Sequence, residues 1–173
     1  MAKEYFYDKR DLSGTETQFF HESRIERTNK EIDTNMERAG EFIKDFTIKR
    51  IIVDLPTTVI SSSTAKDTDI IDEIVTLLKE GVIELQVGDG DVKYFPLSRA
   101  LGNNVLNGSL AYSLGTAADG SYGLASAAAG NGECGLEVDI VVPKGQMLKF
   151  FIKTATSVTL NDVKVILEGE MAE

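Results

Sequence analysis

Residues Val82–Phe95 leave this chain little choice of local structure. Val82-Ile83-Glu84-Leu85-Gln86-Val87 alternates apolar and polar side chains, Gly88-Asp89-Gly90-Asp91 turns, and Val92-Lys93-Tyr94-Phe95 returns as far as Pro96. A period of two places alternate side chains on opposite faces, and a Gly/Asp turn between two such runs closes an antiparallel hairpin. A lone hairpin is marginal in water, so other strands must pair beside it.

The rest of the chain supplies them. A strand is expected from about 45 to 55, where β-branched residues lead to Pro56, and a short one over Thr57-Thr58-Val59-Ile60 before the Ser61–Thr64 loop. Gly135–Val142, Gln146–Lys153 and Leu160–Glu168 alternate toward the C-terminus, with Pro143-Lys144-Gly145 turning between the first two. One helix interrupts the β texture. Ile70, Ile71, Ile74, Leu77 and Leu78 share a face of Asp67–Glu80, acidic residues favour its N-terminal dipole, and Gly81 stands where a left-handed C-terminal cap belongs. Seven or so strands in hairpin order, one helix and no alternating βαβ rhythm predict a mainly β fold, an antiparallel sandwich.

Charge divides the chain. Residues 1–50 hold ten Lys/Arg and eleven Asp/Glu, while 51–173 hold eight and seventeen, so most of the net charge of −10 lies in the β-rich part. The paired aromatics Tyr5-Phe6-Tyr7 and Phe19-Phe20 stand among polar residues with no sustained period, and the sparse Ile25, Ile32 and Met36 support only a short helix over Glu26–Arg38. Residues 1–45 therefore read as an extended arm and 46–173 as the β domain.

Within that domain 98–135 stands apart. Its thirty-eight residues include eight Gly and eight Ala, and only Arg99, Asp119 and Glu133 are charged. Disordered segments usually stay solvated through charge. A long, weakly polar loop with apolar residues such as Leu110, Tyr112, Tyr122 and Leu124 is expected to be covered, by its own sheet near a short strand at 109–114 or by neighbouring subunits.

Composition argues against catalysis. With one His, one Cys and no Trp, His21 and Cys134 cannot build the usual metal sites or nucleophile–base pairs, and neither a phosphate-binding glycine loop nor a GxSxG elbow is present. Asp89-Gly90-Asp91 lacks the spaced ligands of a calcium loop. No enzyme activity, catalytic residue, metal or cofactor is expected. The acidic balance disfavours nucleic acid, and the bases Lys9, Arg10, Arg24, Arg27 and Lys30 are interleaved with acids, so direct sequence-specific nucleic-acid binding is not expected. No run approaches a membrane span, and Met1–Arg10 does not read as a secretory leader.

The arm with "DLSGTETQFF" (Asp11–Phe20), "DTNMERAGEFIKDFTIKRIIVDL" (Asp33–Leu55) entering the first strand, and "KEGVIELQVGDGDVKYFPLSRALG" (Lys79–Gly102) with its hairpin and long loop resemble, in texture and order, the single jelly-roll virion proteins of bacteriophages. The resemblance implies a jelly-roll-like sandwich. It also implies a capsid shell or decoration subunit, made in a host cytoplasm, that assembles with copies of itself and other capsid proteins. It brings no catalytic residues. Interface anchors are expected at Phe6, Phe19, Phe20, Tyr112 and Tyr122, since buried aromatics dominate interfaces. The competing expectation is a β-sandwich module that binds glycan or another ligand through the 98–135 loop.

Overall fold

The computed structural model describes residues 2–56, 66–102, 109–112, 122–125 and 134–173, with backbone only for 66–72, 109–112 and 122–125. The fold is mainly β with one helix, as expected. In chain order the elements are β1 (Ala2–Phe19), β2 (Phe46–Asp54), α1 (Lys66–Glu80), β3 (Val82–Val87), β4 (Lys93–Pro96), β5 (Ser109–Tyr112), β6 (Tyr122–Ala125), β7 (Leu136–Val142) and β8 (Leu148–Met171).

Six strands form one antiparallel sheet organised by β8. Along one edge of β8 runs β1, in register from Ala2 opposite Met171 to Phe19 opposite Phe150. The other edge is shared: β2 takes the C-terminal part, from Phe46 opposite Met171 to Asp54 opposite Lys164, and β3 the N-terminal part, from Val82 opposite Lys153 to Val87 opposite Leu148. Outside these, β7 pairs with β2 and β4 with β3. Among the described residues β5 and β6 pair with each other alone, Tyr112 opposite Tyr122.

The 24 residues of β8 would run about 80 Å if straight, roughly twice the width of a globule of this size. The strand bends instead, at two places where its register with β1 slips. At the first, Asn161 and Asp162 lie between the pairs Arg10–Val163 and Leu12–Leu160, with only Asp11 opposite. Asp162 takes a left-handed φ of 59°, which Asp tolerates better than bulky residues, and its N–H donates to Asp11 Oδ1 at 2.9 Å. At the second, Thr154–Ser157 lie opposite Thr15 alone. There the Glu80 carboxylate accepts from Thr156 N and Oγ1 at 2.8 and 3.1 Å, while Glu73 accepts from Thr159 N at 2.9 Å. The helix thus supplies an acceptor for the Thr156 N–H, which lies in the bulge, and one for Thr159 just beyond it.

Bending curls the sheet until its margins face each other. The β3–β4 turn and β7 are separated by a cleft of about 260 Å³, with Leu85 and Ile140 among its apolar lining and Lys93, Asp139 and Val141 beside them. Inside the curl lie Ile48, Ile51, Val53, Ile83, Leu85, Val163, Val165 and Leu167, closed at one side by Ile74 and Leu77 of α1. Phe6, Phe42 and Phe46 pack with centroids 4.7–5.0 Å apart, two of the three contacts edge-on. The Phe46 ring lies on Gly169, where an added Cβ would come within 2.8 Å of the ring and 2.1 Å of Thr47 O.

Several expectations change. The first half of the expected arm is extended, but as an integral strand. Gln146–Lys153 and Leu160–Glu168 belong to one strand, because a bulge at Thr154–Ser157 rather than a turn joins them. The short helix over Glu26–Arg38 is reduced to a single 3-10 turn at Lys30–Ile32. Gly81 lacks a positive φ; a Cβ there would lie 2.3 Å from Leu77 O, so close approach and not handedness requires the glycine. The strand at 57–60 and loop at 61–64 lie outside the described residues.

Candidate functional site

On β1 the inward-facing positions 6, 8, 10 and 12 follow the strand period but change chemistry midway. Phe6 and Leu12 are apolar, whereas Asp8 and Arg10 are charged and buried. A buried charge needs partners, and residues 20–36 provide them. Asp8 Oδ2 accepts from Arg10 Nε at 2.8 Å and from Phe20 N at 2.7 Å. Arg10 Nη1 donates to Glu22 Oε2 at 2.6 Å and lies 3.5 Å from His21 Nε2. Glu22 accepts also from Arg27 Nη1 at 3.1 Å, and Arg27 Nη2 donates to Lys9 O.

The same segment seals the free edge of β1. Lys9 N donates to Asp33 O at 2.7 Å, Tyr7 N to Asn35 Oδ1 at 2.9 Å, Thr34 Oγ1 to Tyr7 O at 2.7 Å, and Asn35 Nδ2 to Tyr5 O at 2.7 Å. These are the backbone groups a neighbouring strand would otherwise claim. Phe20 and Met36 at its two ends are buried in the core, whereas Ile25 and Ile32 between them are 80% and 68% exposed. Between those anchors the strap is held chiefly by hydrogen bonds and charge.

Between the strap and the bend of β8 lies a polar cleft of about 490 Å³. Lys9, Arg10 and Arg27 line it with the carboxylates of Asp11, Asp33 and Asp162, and Thr28 and Asn29 complete the lining. Lys9 Nζ lies 3.5 Å from Asp33 and 3.3 Å from Asp162. Burial raises the Asp8 carboxyl above its ordinary pKa against the opposing hydrogen bonds from Arg10 and Phe20 N. Burial also acts against ionised Glu22 and Asp33. Arg10 and Arg27 outweigh it at Glu22, and the Asn29 hydrogen bonds with nearby Arg27 and Lys9 outweigh it at Asp33, so both carboxyls sit below their ordinary range. The sequence signal for this site was the interleaving of acids with Lys9, Arg10 and Arg27; what it could not show was that Asp8 and Arg10 point inward.

The expected anchors are distributed differently. Phe19 and Phe20 are fully buried against Phe150, with centroids 6.0 and 5.8 Å away, and Phe6 packs on Phe42 and Phe46. These three rings serve the chain's own core. Tyr112 and Tyr122 face each other across β5 and β6 in register, and their side chains lie outside the described residues. Cys134 is half-buried, and His21 is exposed beside Arg10. Among the described residues no group of three His, Cys, Asp or Glu side chains converges as a metal set, and no helix is long and apolar enough to cross a membrane.

No protein-family model, curated protein or solved structure matches the chain.

Proposed function

We propose that the chain is a structural assembly subunit of a virion, a capsid shell or decoration protein with no catalytic role, that binds copies of itself and other capsid proteins. The observation that carries this reading is the pair of sheet margins, β4 and β7, each with a strand on one side only among the described residues, on either side of a cleft lined by apolar and charged side chains. An open edge presents unpaired N–H and C=O groups to a strand from another chain. The side chains around these margins suit such a contact, since Tyr94, Val141 and Met147 are exposed. The phage-like texture and order of Asp11–Phe20, Asp33–Leu55 and Lys79–Gly102 supports the virion assignment, and the β5–β6 pair, which has no further strand beside it among the described residues, supports a contact made through residues 98–135, because a two-stranded pair needs a cover.

Light scattering during size exclusion, with electron microscopy of the concentrated full chain, tests this. Closed rings, shells or defined oligomers are expected, and a Tyr94→Lys, Val141→Lys double variant should retain its fold but lose assembly. A full chain that stays monomeric at high concentration and leaves phage capsids undecorated would sink the reading.

A second reading, a β-sandwich module that binds a small ligand or glycan, is favoured by the polar cleft beside Arg10 and Arg27. Binding on a glycan array by a protein that remains monomeric selects it.

A further inference from the structure

The polar cleft contains an imbalance in its hydrogen bonding. Arg10, whose side chain is 9% exposed, has a buried Nη2 with no partner, and Arg27 has a buried Nε with none within hydrogen-bonding distance, its approach to Asp33 being 3.8 Å. Both residues line the cleft. Thr28, exposed at the same cleft, uses its hydroxyl in none of the hydrogen bonds of the described residues. The three carboxylates, by contrast, are occupied. Asp11 accepts from Asp162 N, Asp33 accepts from Asn29 N at 3.2 Å and pairs with Lys9, and Asp162 pairs with Lys9. The cleft therefore has formal charges in balance but donors in excess. Buried N–H groups without an acceptor are costly, and guanidinium groups form their strongest hydrogen bonds with oxyanions.

We propose that this cleft binds a small tetrahedral oxyanion of the phosphate or sulfate class. Arg10 and Arg27 donate from the floor, Thr28 donates from the rim, and Lys9 turns from its two aspartates to add charge. Lys9 and Arg10 come from β1 and Arg27 and Thr28 from the strap, so donors reach the anion from more than one plane, which suits a tetrahedral better than a planar acceptor. Bound anion would also cross-link the strap to β1. Because the acidic side chains remain nearby, affinity is modest, on the order of 1 mM. Among the described residues Asp8 Oδ1 is the one buried acceptor without a partner, so a trapped water linking it to Arg10 is the competing occupant. The inference is independent of assembly, since every element of the site belongs to one chain.

The test is an amide nuclear magnetic resonance titration of the full chain with inorganic phosphate at fixed ionic strength, with sulfate and acetate as parallel arms. Saturable shifts centred on residues 9–11, 27–29 and 33 are expected for phosphate and sulfate, with acetate weaker. Arg27→Gln should weaken phosphate binding about tenfold, as expected for loss of a charged donor, and Thr28→Val about fivefold. Thr28→Val decides the matter if Arg27→Gln fails to fold, because Thr28 is exposed and holds no other group. Absence of saturable shifts there, as a trapped water would give, overturns the proposal. So do shifts of equal affinity for acetate, or binding that Thr28→Val leaves unchanged.

Discussion

Asp8 and Arg10 occupy positions where a strand ordinarily places Val or Leu. Their pair is half of a network, since Arg10 also holds Glu22, and Glu22 holds Arg27. Asp8→Ala would leave Arg10 Nε and Phe20 N, both buried, without their acceptor, so it should lower stability by about 2 kcal/mol, read from urea unfolding. Gly169→Ala should also destabilise the fold, because its methyl would collide with Thr47 O and the Phe46 ring. The network gives stability a pH dependence with a definite sign. Glu22 and Asp33 have folded carboxyls below the ordinary range, so their contribution is complete above about pH 5 and is lost as pH falls through the depressed values. Asp8 acts oppositely: its folded carboxyl is raised, its ionisation costs stability at neutral pH, and protonation relieves that cost. The urea midpoint should therefore fall between about pH 5 and pH 3, and a Glu22→Gln, Asp33→Asn variant should show a shallower acid slope.

At the scale of the element, β1 is the decisive strand. It covers one edge of β8 and places Leu12 and Phe19 in the core, with Phe20 following directly. Deleting residues 1–20 should accordingly abolish the cooperative fold, seen as lost amide dispersion and a broad thermal transition, rather than leave a folded body that merely fails to assemble. The strand was hidden in the sequence for a physical reason. Its inward face reads Phe6, Asp8, Arg10, Leu12, and the two charges interrupt the alternation by which a half-buried strand is recognised. β3 and β7 were legible because their inward residues, such as Ile83, Leu85, Ile140 and Val142, are aliphatic, and β4 because a Gly/Asp turn leads into it and Pro96 ends it. α1 was legible through its stripe, of which Ile74 and Leu77 are seen buried. The joining of two expected strands into β8 was not legible, because Thr154-Ala155-Thr156-Ser157 carries no large apolar side chain to continue the alternation and becomes a bulge only when β1 lies alongside. The cleft was half legible: its residues attracted notice for cancelling charge, but the unpartnered nitrogens of Arg10 and Arg27 depend on packing.

For the whole molecule, curvature explains both closure and openness. Two register slips turn one long strand back upon itself, gathering the aliphatic faces into a single interior while bringing β7 and the β3–β4 turn near each other without joining them. The charge map follows the same plan. Lys49–Asp139 and Arg50–Glu137 tie β7 to β2 by exposed pairs at 2.7 and 3.1 Å, which contribute little to stability in water. Raising ionic strength should thus change unfolding free energy by less than about 1 kcal/mol through these pairs, a difference measurable by urea titration in low and high salt.

Ala2 lies opposite Met171, and this pairing sets the order in which the molecule can be completed. β1 has its ladder partner in β8, far along the chain, so during translation it waits, edge exposed, until β8 has been made. Contacts so distant in sequence make folding slow, with refolding expected in milliseconds to seconds rather than microseconds. A nascent chain halted before residue 148 would hold β1, β2 and β3 with no common strand to pair with, and is the form of this protein most exposed to aggregation.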